Sequence, residues 1–346
     1  MNKNRFLATF ASGMQFIIKD LLLKQIPDII IIHLFDGTVA FETEKTYDRL
    51  NLHCFNNIFA LISFSECSDM EAFIMQIVKS KLKSEIISLN SKKFKTFRVI
   101  ASSENRLVPI ENSLKAKFEN FISLQSKLQV DRSKPDAEFW VSYRREGFCY
   151  FLKRLSKHTA YEKTLNKGEL HPEIAYLMNW LSQPDKDDAF LDPFCGHGAI
   201  PLKRAMHFPF NSIFAFDSDE AMIETARKKA VKRKSFANMP KFIIKQLSIY
   251  DLDKELLPNS IDKIVTDPPW GDYANIQDGF HDFYGKMLTQ MEHVLKENGT
   301  IVLLINRNTD IAALIEPRNL SLIARYDVLI SGHKAMLVKL IKTMRN

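Results

Sequence analysis

The chain has 346 residues, of which 46% are hydrophobic, and a formal net charge of +7. This length and composition allow large buried cores, and we expect two domains. The positive charge favours an anionic partner, with nucleic acid as the natural candidate. The four cysteines are scattered, with no C-x-x-C pair and no histidine cluster at metal spacing. The sequence therefore predicts no metal site, no disulfide framework and a cytoplasmic location.

The N-terminal apolar run has the position of a signal peptide but not its pattern. Ser12, Gly13 and Gln15 interrupt the run, and no small-residue cleavage site follows it. We therefore do not expect secretion. No stretch approaches the roughly 20 uninterrupted apolar residues of a transmembrane helix, so no membrane span is predicted.

The first 154 residues mix strand-like and helical patterns. Predicted strands cover residues 5–11, 28–35, 37–41, 55–64, 96–101, 139–144 and 147–154, and predicted helices cover 14–24, 69–84 and 111–128. Asp36-Gly37 is a hairpin signal between the second and third strands. No carboxylate pair, triad or glycine-rich loop occurs here. The pattern predicts an α+β region over residues 1–154 without catalytic machinery.

Basic residues are interleaved with aromatic residues at two places in this region. They are Lys92, Lys93, Lys95 and Arg98, followed by Arg144 and Arg145. Such residues either form the solvated face of an ordinary domain or contact RNA. Because the whole chain is basic, we favour RNA contact.

The second half of the chain alternates strands with helices after a polar, basic linker over residues 155–170. A helix is predicted over 173–181, with Pro172 at its first turn. Predicted strands cover 189–191, 212–216, 242–246, 261–266, 300–305, 321–330 and 335–342. Four further helices are predicted: one that ends near 206, one that begins at 220, and two that cover 279–297 and 311–315. This alternation predicts a doubly wound parallel sheet over residues 171–346, with ligands at the carboxyl ends of its strands.

A glycine loop follows the first of these strands. Asp192 ends the strand, and Gly196 and Gly198 let the backbone turn tightly and approach a ligand. A dinucleotide site would carry a third glycine where Pro201 stands, so a nucleoside cofactor without a pyrophosphate fits better. Asp217 ends the second strand, where an acidic residue can accept hydrogen bonds from two ribose hydroxyls.

The fourth strand ends in the sequence Thr266-Asp267-Pro268-Pro269-Trp270-Gly271. The prolines stop the strand and stiffen the loop that follows. This loop presents one carboxylate, unpaired carbonyls and one aromatic face, which together suit a flat ring that bears an amino group. The alternative is a proline-rich turn capped by a buried tryptophan. The cofactor loop earlier in the chain favours the ring-binding interpretation.

These motifs resemble those of the THUMP-domain RNA methyltransferases, which are class I enzymes that use S-adenosylmethionine. The loop Asp192-Pro-Phe-Cys-Gly-His-Gly-Ala-Ile200 is similar to the family's D-P-F-C-G-S-G-T-I, and residues 267–271 match its [DN]-P-P-[YFW]-G. Residues 6–13 and 168–172 match the family's opening and linker patterns. The resemblance implies a Rossmann-like methyltransferase domain preceded by a ferredoxin-like and THUMP-like RNA-binding region.

The resemblance also implies which residues bind the cofactor. They are Leu170, Asp192, Phe194, Cys195, Gly196, Gly198, Asp217, Ser218, Ser248 and Ile249. Two positions depart from the family pattern. The family often has an acidic residue where Ser248 falls, with Asp251 as the candidate substitute, and His197 stands where a small residue is usual.

We expect Asp267, Pro268, Pro269 and Trp270 to form the catalytic site. In this hypothesis an exocyclic amine lies between the Asp267 carboxylate and the backbone carbonyl of Asp267-Pro268, and Trp270 stacks on the ring. The resemblance implies guanine N2 of tRNA as the methyl acceptor.

Several alternatives stay open at this point. The same loop serves adenine N6 in rRNA or DNA, and a non-catalytic RNA-binding protein could keep the same fold. A thiol nucleophile at Cys195 attacking a pyrimidine is disfavoured, because Cys195 lies in the cofactor loop and no Pro-Cys follows the fourth strand.

The helix after Asp217 carries a run of basic residues that includes Lys228, Lys229, Lys232 and Arg233. Such a run is usually a solvated helix face. Beside a site that modifies a base, contact with phosphates is at least as well supported.

Overall fold

The chain forms two compact units in the computed structural model, which describes residues 3–80, 82, 94–156, 165–166, 168–232, 241–270 and 279–344. One unit has the bounds Met1–Phe10 and Leu22–Thr159, and the other has the bounds Ala11–Leu21 and Ala160–Asn346. Helix α1 (Gln15–Gln25) therefore spans the division. Among the described residues, no helix is long and apolar enough to cross a membrane.

A nine-stranded sheet forms the first unit. Its strands are β1 (Asn4–Thr9), β2 (Ile30–Phe35), β3 (Thr38–Thr43), β4 (Asn57–Glu66), β5 (Thr96–Ser103), β6 (Arg106–Val108), β7 (Gln129–Val130), β8 (Ala137–Arg144) and β9 (Phe148–Arg154). Their order is β2-β3-β1-β4-β9-β8-β5-β6, with β7 beside β5. Helices α2 (Met70–Lys79) and α3 (Asn112–Ser126) share an apolar core with this sheet. The predicted α+β pattern is confirmed.

The hairpin predicted at Asp36-Gly37 is also confirmed. Strands β2 and β3 pair antiparallel, with Phe35 opposite Thr38. Gly37, the second residue of the turn, has a φ of +76°, a left-handed conformation that glycine adopts without a Cβ penalty. The short strands β6 and β7 were not predicted, because three and two residues are too few to show an alternating pattern.

The second unit contains the doubly wound sheet that the alternation of strands and helices predicted. Its strands are β10 (Ala189–Asp192), β11 (Ser212–Asp217), β12 (Phe242–Gln246), β13 (Ile261–Thr266), β14 (Leu295–Asn306), β15 (Leu320–Ile330) and β16 (His333–Lys342). They follow the order β12-β11-β10-β13-β14-β16-β15, with β10 to β14 parallel and β16 antiparallel to its neighbours. The order of the strands along the sheet reverses between β10 and β13, which is a topological switch point. Doubly wound sheets bind ligands in the crevice at such a reversal.

The helices of this unit lie between the strands in sequence. They are α4 (Pro172–Leu181), α5 (Ala199–His207), α6 (Glu220–Val231), α7 (Leu252–Glu255), α8 (Phe280–Val294) and α9 (Ile311–Ile315). Neighbouring residues of β13, Ile264 and Val265, point to opposite faces of the sheet and are both fully buried. Both faces of the central strands are therefore covered, as in other parallel sheets.

Strand β14 differs from its prediction. It begins at Leu295 rather than at residue 300, and the preceding helix ends at Val294 rather than at residue 297. Leu295 is fully buried and pairs with Ile261, whereas the next paired residues are Lys263 and Thr300. The residues between them form a bulge in which Asn298 has a φ of +60°. Burial of one leucine thus ends the helix early, which helical periodicity alone does not reveal.

We predict that Gly198→Ala destabilises the second unit through packing as well as backbone strain. Gly198 has a φ of +88°, and a Cβ there would lie 3.1 Å from the Ala226 Cβ and 3.1 Å from the Leu202 Cδ1. Strain costs about 1 kcal/mol and overpacking a further 1–3 kcal/mol. Urea unfolding measures the change. Gly332→Ala is the matched control, since its φ is +86° with no atom within 4 Å of the added Cβ. Equal losses in the two variants would contradict the packing role.

Candidate active site at the carboxyl ends of the parallel strands

Asp192 lies at the end of β10 and is completely buried. Its Oδ1 accepts hydrogen bonds from the Thr266 hydroxyl at 2.6 Å and from the Phe194 amide at 3.2 Å. Its Oδ2 is buried and has no hydrogen-bond partner among the described residues. Burial raises the pKa of Asp192 well above its ordinary value, and the nearby Asp217 and Asp267 raise it further. The site therefore holds a buried carboxyl oxygen with unused capacity to accept a hydrogen bond.

The glycine loop follows Asp192 and is tied to the neighbouring strand. The Cys195 amide donates to the Phe216 carbonyl at 2.8 Å, and the Gly198 amide donates back to the Cys195 carbonyl at 2.8 Å. Gly196 and Gly198 both have positive φ, at 49° and 88°. The loop therefore makes the tight turn that the two glycines predicted, and α5 begins directly after it.

Asp217, at the end of β11, faces this loop. Its Oδ2 accepts from the Gly196 amide at 2.8 Å, and its Oδ1 accepts from the Asp219 amide at 3.0 Å. Burial raises the pKa of Asp217 despite these two bonds. The carbonyl of Ser218 accepts from the Gln246 side chain at the end of β12, 2.9 Å away. The ends of three neighbouring strands are thus joined around the loop.

The other residues implied by the resemblance lie in several elements. Ser248 caps a short 3₁₀ turn and accepts from the Tyr250 amide at 3.3 Å, whereas Ile249 is buried. Asp251 pairs with Lys254 at 2.6 Å. Leu170 is buried, and the Phe194 ring packs edge-on against Phe283. Among the described residues, no group of three or more His, Cys, Asp or Glu side chains is arranged to hold a metal ion.

His197 contributes a second buried polar atom beside the loop. Its Nδ1 is buried without a partner among the described residues, and the ring lies within electrostatic range of Asp217. His197 departs from the family pattern in sequence. The structure places this residue beside Asp217 in the predicted cofactor site.

Asp267 and Trp270 are joined by a hydrogen bond at the end of β13. The indole Nε1 of Trp270 donates to Asp267 Oδ1 at 2.8 Å and to the Leu304 carbonyl at 3.0 Å. Burial raises the pKa of Asp267 to about 7. Because Asp267 also raises the pKa of Asp192, the carboxylate of the proline-containing loop and that of the glycine loop lie within electrostatic range of each other.

Two contributors to this site were not singled out in the sequence. Thr266 holds Asp192, and Tyr284 in α8 donates its hydroxyl to the Pro269 carbonyl at 2.8 Å. Tyr284 is 2% exposed. Thr266 directly precedes Asp267, and this position in the motif was a signal that could have identified it as a site residue. Tyr284 lies in a different element, and nothing in the sequence pattern connects it to Pro269.

The basic residues expected to contact RNA differ widely in exposure. Lys95, Arg145, Lys228 and Lys232 are exposed. Arg98 pairs with Glu138 and Lys229 with Glu169. Lys92, Lys93 and Arg233 lie outside the described residues.

The expectation of an exposed Arg144 is wrong. Its side chain is 3% exposed, pairs with Glu104 at 3.5 Å and Glu146 at 3.4 Å, and donates to the Asp36 carbonyl at 2.8 Å. The side chains of β8 alternate between faces, so Arg144 turns inward while Arg145, after the strand, is 71% exposed. Arg144 is therefore a structural ion-pair residue.

A parallel sheet with reversed order, a glycine turn at its first strand and acids at the ends of three strands define a Rossmann-like domain with a ligand site at the carboxyl ends of its strands. Residues 160–336 match the family model of the RMKL-like methyltransferase domain. This match covers more than half of the chain, which therefore belongs to that family. The solved structure of TrmN from Thermus thermophilus has the same fold, with a TM-score of 0.77 and 19% identity over 98% of this chain and 99% of that one.

Curated relatives match parts of the chain. The U6 snRNA (guanine-N(2))-methyltransferase THUMPD2 of Bos taurus is 30% identical over 52% of this chain and 34% of its own length. The tRNA (guanine(10)-N2)-dimethyltransferase of Methanothermobacter thermautotrophicus is 29% identical over 44% of this chain and 43% of its own. The 23S rRNA (uracil(1939)-C(5))-methyltransferase RlmD of Marinomonas is 31% identical over 34% and 25%. The chain thus spans less than half the length of each of these three relatives.

The raised pKa of Asp267 predicts that stability depends on pH. Its pKa of about 7 exceeds the ordinary 3.8, so the folded chain binds this proton more tightly than the unfolded chain does. The free energy of unfolding therefore falls as pH rises from about 4 to 7, by at most about 4 kcal/mol from this group. Asp267→Asn removes the titration and keeps an oxygen for Trp270. Its stability relative to the wild type should therefore increase with pH.

Urea unfolding at several pH values from 5 to 8 measures this difference. Asp187→Asn is the matched control, because the Asp187 side chain is 78% exposed and its replacement should leave the pH profile of the wild type unchanged. A pH-independent difference between the wild type and Asp267→Asn would show that Asp267 does not titrate in this range.

Proposed function

We propose that this chain is an RNA methyltransferase that transfers a methyl group from S-adenosylmethionine to guanine N2 of tRNA, giving N2-methylguanosine. The observation that carries the proposal is the approach of two acids from different loops. Asp192 precedes the glycine loop and Asp267 opens the proline-containing loop. Thr266, beside Asp267, donates to Asp192, and the two acids lie within electrostatic range of each other. A cofactor held by the first loop would therefore meet an amine held by the second. The two guanine-N2 relatives support the choice of acceptor.

The cofactor site fits a cationic nucleoside with an amino-acid tail. The unpartnered Asp192 Oδ2 can accept a hydrogen bond from an ammonium group, and a cation there would stabilise the buried carboxylate. Gly196 and Gly198 leave room for close backbone approach, and Asp217 can accept from ribose hydroxyls. S-adenosylmethionine, when bound, supplies an electrophilic methyl group on a sulfonium. The solved structure of SMU.472, which has the same fold, is a complex with SAH.

The residues of the proline-containing loop would hold and deprotonate the amine. Trp270 occupies Asp267 Oδ1 and leaves Oδ2 to accept an N–H from the base. A carboxylate with a pKa of about 7 can also take the proton that the amine loses as it gains a methyl group. The Tyr284 hydroxyl fixes the Pro269 carbonyl and so the shape of the loop. These groups position the acceptor, which is most of what a direct methyl transfer requires.

We further propose that residues 1–154 bind the RNA, with residues 155–170 as a linker and 171–346 as the methyltransferase domain. The exposed Lys95, Arg145, Lys228 and Lys232 support phosphate contact. Four free cysteines support a reducing, cytoplasmic location.

Two rival functions have less support. One relative is named as a uracil C5 methyltransferase. For a pyrimidine acceptor, the nucleophile considered is the thiol of Cys195. However, burial raises the pKa of Cys195 well above its ordinary value, and the neighbouring Asp192 and Asp217 raise it further, so the reactive thiolate is disfavoured. A non-catalytic RNA-binding protein would have no need for a buried acid of raised pKa beside the proline-containing loop.

The function is tested by incubating the protein with bulk unmodified tRNA and labelled S-adenosylmethionine, followed by nucleoside mass spectrometry. We expect labelled N2-methylguanosine, and at least 100-fold less with Asp267→Ala because the amine loses its acceptor. Label in 5-methyluridine or N6-methyladenosine would refute the proposed acceptor. Full activity of the Asp267→Ala variant would refute the role of the carboxylate.

The cofactor assignment is tested with Asp192→Asn. The Asn side chain keeps an oxygen for Thr266 but presents an NH₂ group where Oδ2 stood, facing the ammonium group. We expect the dissociation constant of S-adenosylmethionine, measured by calorimetry, to rise by roughly 10- to 100-fold. Stability at pH 7 should not fall, because the variant removes a buried carboxylate. Wild-type affinity in a folded variant would show that Asp192 does not contact the cofactor.

A further inference from the structure

An open cleft of about 410 Å³ lies beside Trp270 in the second unit. Its walls include Trp270, His281, Tyr284, Asn306, Asn308 and Thr309. Three of these side chains are aromatic, and the other three carry an amide or a hydroxyl group. A cleft with an aromatic wall and a polar wall is suited to an unstacked nucleobase, which stacks on the first and forms hydrogen bonds with the second.

This cleft is continuous with the proline-containing loop through Trp270. The indole Nε1 bonds both to Asp267 and to the Leu304 carbonyl in β14. Asn306, the last residue of β14, follows Leu304 by two positions and lies on the wall of the cleft. A base whose amine reaches Asp267 would therefore present the rest of its hydrogen-bonding edge towards the end of β14.

The orientation of the Asn306 amide is fixed by its own turn. Its Oδ1 accepts the backbone N–H of Asn308 at 2.9 Å, and its main-chain carbonyl accepts the N–H of Thr309 at 3.1 Å. A flipped amide would place its NH₂ group against the Asn308 N–H, donor against donor. No described residue accepts a hydrogen bond from Asn306 Nδ2. The side chain therefore offers the cleft a donor rather than an acceptor.

Resting on the proposed function, we propose that this cleft receives the target guanine and that Asn306 selects it. The Nδ2 group donates to the 6-carbonyl oxygen, while the 2-amine of the same base points to Asp267. A purine with an amine at position 6 would place a donor against a donor and leave both unpaired in the cleft. Sites that bond a substrate group discriminate strongly against analogues that cannot pair with it. Asn306 is thus a specificity-determining residue.

The test replaces the 6-carbonyl of the target base with an amine, which also turns N1 from a donor into an acceptor, and keeps the 2-amine. Synthetic tRNA would carry either guanosine or 2,6-diaminopurine riboside at the position identified by mass spectrometry, and kcat/KM for methylation of the 2-amine would be measured. The wild type should favour guanine by on the order of 10- to 100-fold. Asn306→Asp keeps an oxygen for the Asn308 N–H but replaces the donor with an acceptor. Its preference should reverse towards 2,6-diaminopurine.

Two further variants control the measurement. Asn306→Ala removes the donor without adding an acceptor, so the ratio of the two kcat/KM values should fall below the wild-type ratio without reversing. Asn298→Asp adds the same charge near the other end of β14, at an exposed position, and should keep the wild-type ratio. Calorimetry with S-adenosylmethionine should give the wild-type dissociation constant for Asn306→Asp, which establishes that the variant is folded.

The outcomes separate this inference from the proposed function. If both Asn306 variants keep the wild-type ratio, whatever their absolute rates, the inference is overturned and the proposed function stands. If the wild type forms no N2-methylguanosine, or methylates adenine instead, the proposed function fails and the assignment of Asn306 fails with it.

Discussion

The burial of carboxylates at the ends of parallel strands is the constraint on which the rest of this site depends. Asp192, Asp217 and Asp267 end or directly follow three strands of the sheet, and burial raises the pKa of each. Placing three acids so close together costs stability, since each must lose water and repel the others. The fold offsets that cost only in part, with a threonine hydroxyl, backbone amides and an indole N–H. Asp192 Oδ2 is left without a hydrogen-bond donor among the described residues, so it can accept a hydrogen bond from a ligand.

The topology of the sheet produces this arrangement directly. Strands β10 and β13 are neighbours although their chain positions are far apart, and the order of strands reverses between them. Their carboxyl ends therefore meet at one edge, where the glycine loop and the proline-containing loop face each other. The hydrogen bond from Thr266 to Asp192 crosses this junction and links residues 74 positions apart. Prolines stiffen one loop and backbone hydrogen bonds tie the other to β11, so the acids are held in position before any ligand binds.

In the first unit, amino-acid composition does not show which basic residues are exposed and able to contact RNA. Arg144 and Arg145 are adjacent in sequence and equally basic, yet one is buried in an ion-pair cluster and the other is exposed. The difference follows from their positions, because Arg144 ends β8 with its side chain turned inward, whereas Arg145 lies in the turn that follows the strand. Arg144 is 3% exposed and already paired with two carboxylates, so it has little to offer a phosphate. RNA contact, as proposed, therefore depends on which basic residues remain exposed rather than on how many there are.

The sequence by itself determined the class of the fold, the glycine turn, the acids at the strand ends and the proline-containing loop. It could do so because these features are local: strand and helix periodicity, the positive φ that glycine permits and the stiffness of proline act within a few residues. The tertiary structure decided the hydrogen bonds of Thr266, Tyr284 and Asn306, the burial of Arg144 and the early start of β14. Each of these depends on a partner in another element or on a turn closed by backbone bonds. Such contacts exist only once the chain has folded, so periodicity does not predict them, and the motif that adjoins Thr266 does not reveal its partner.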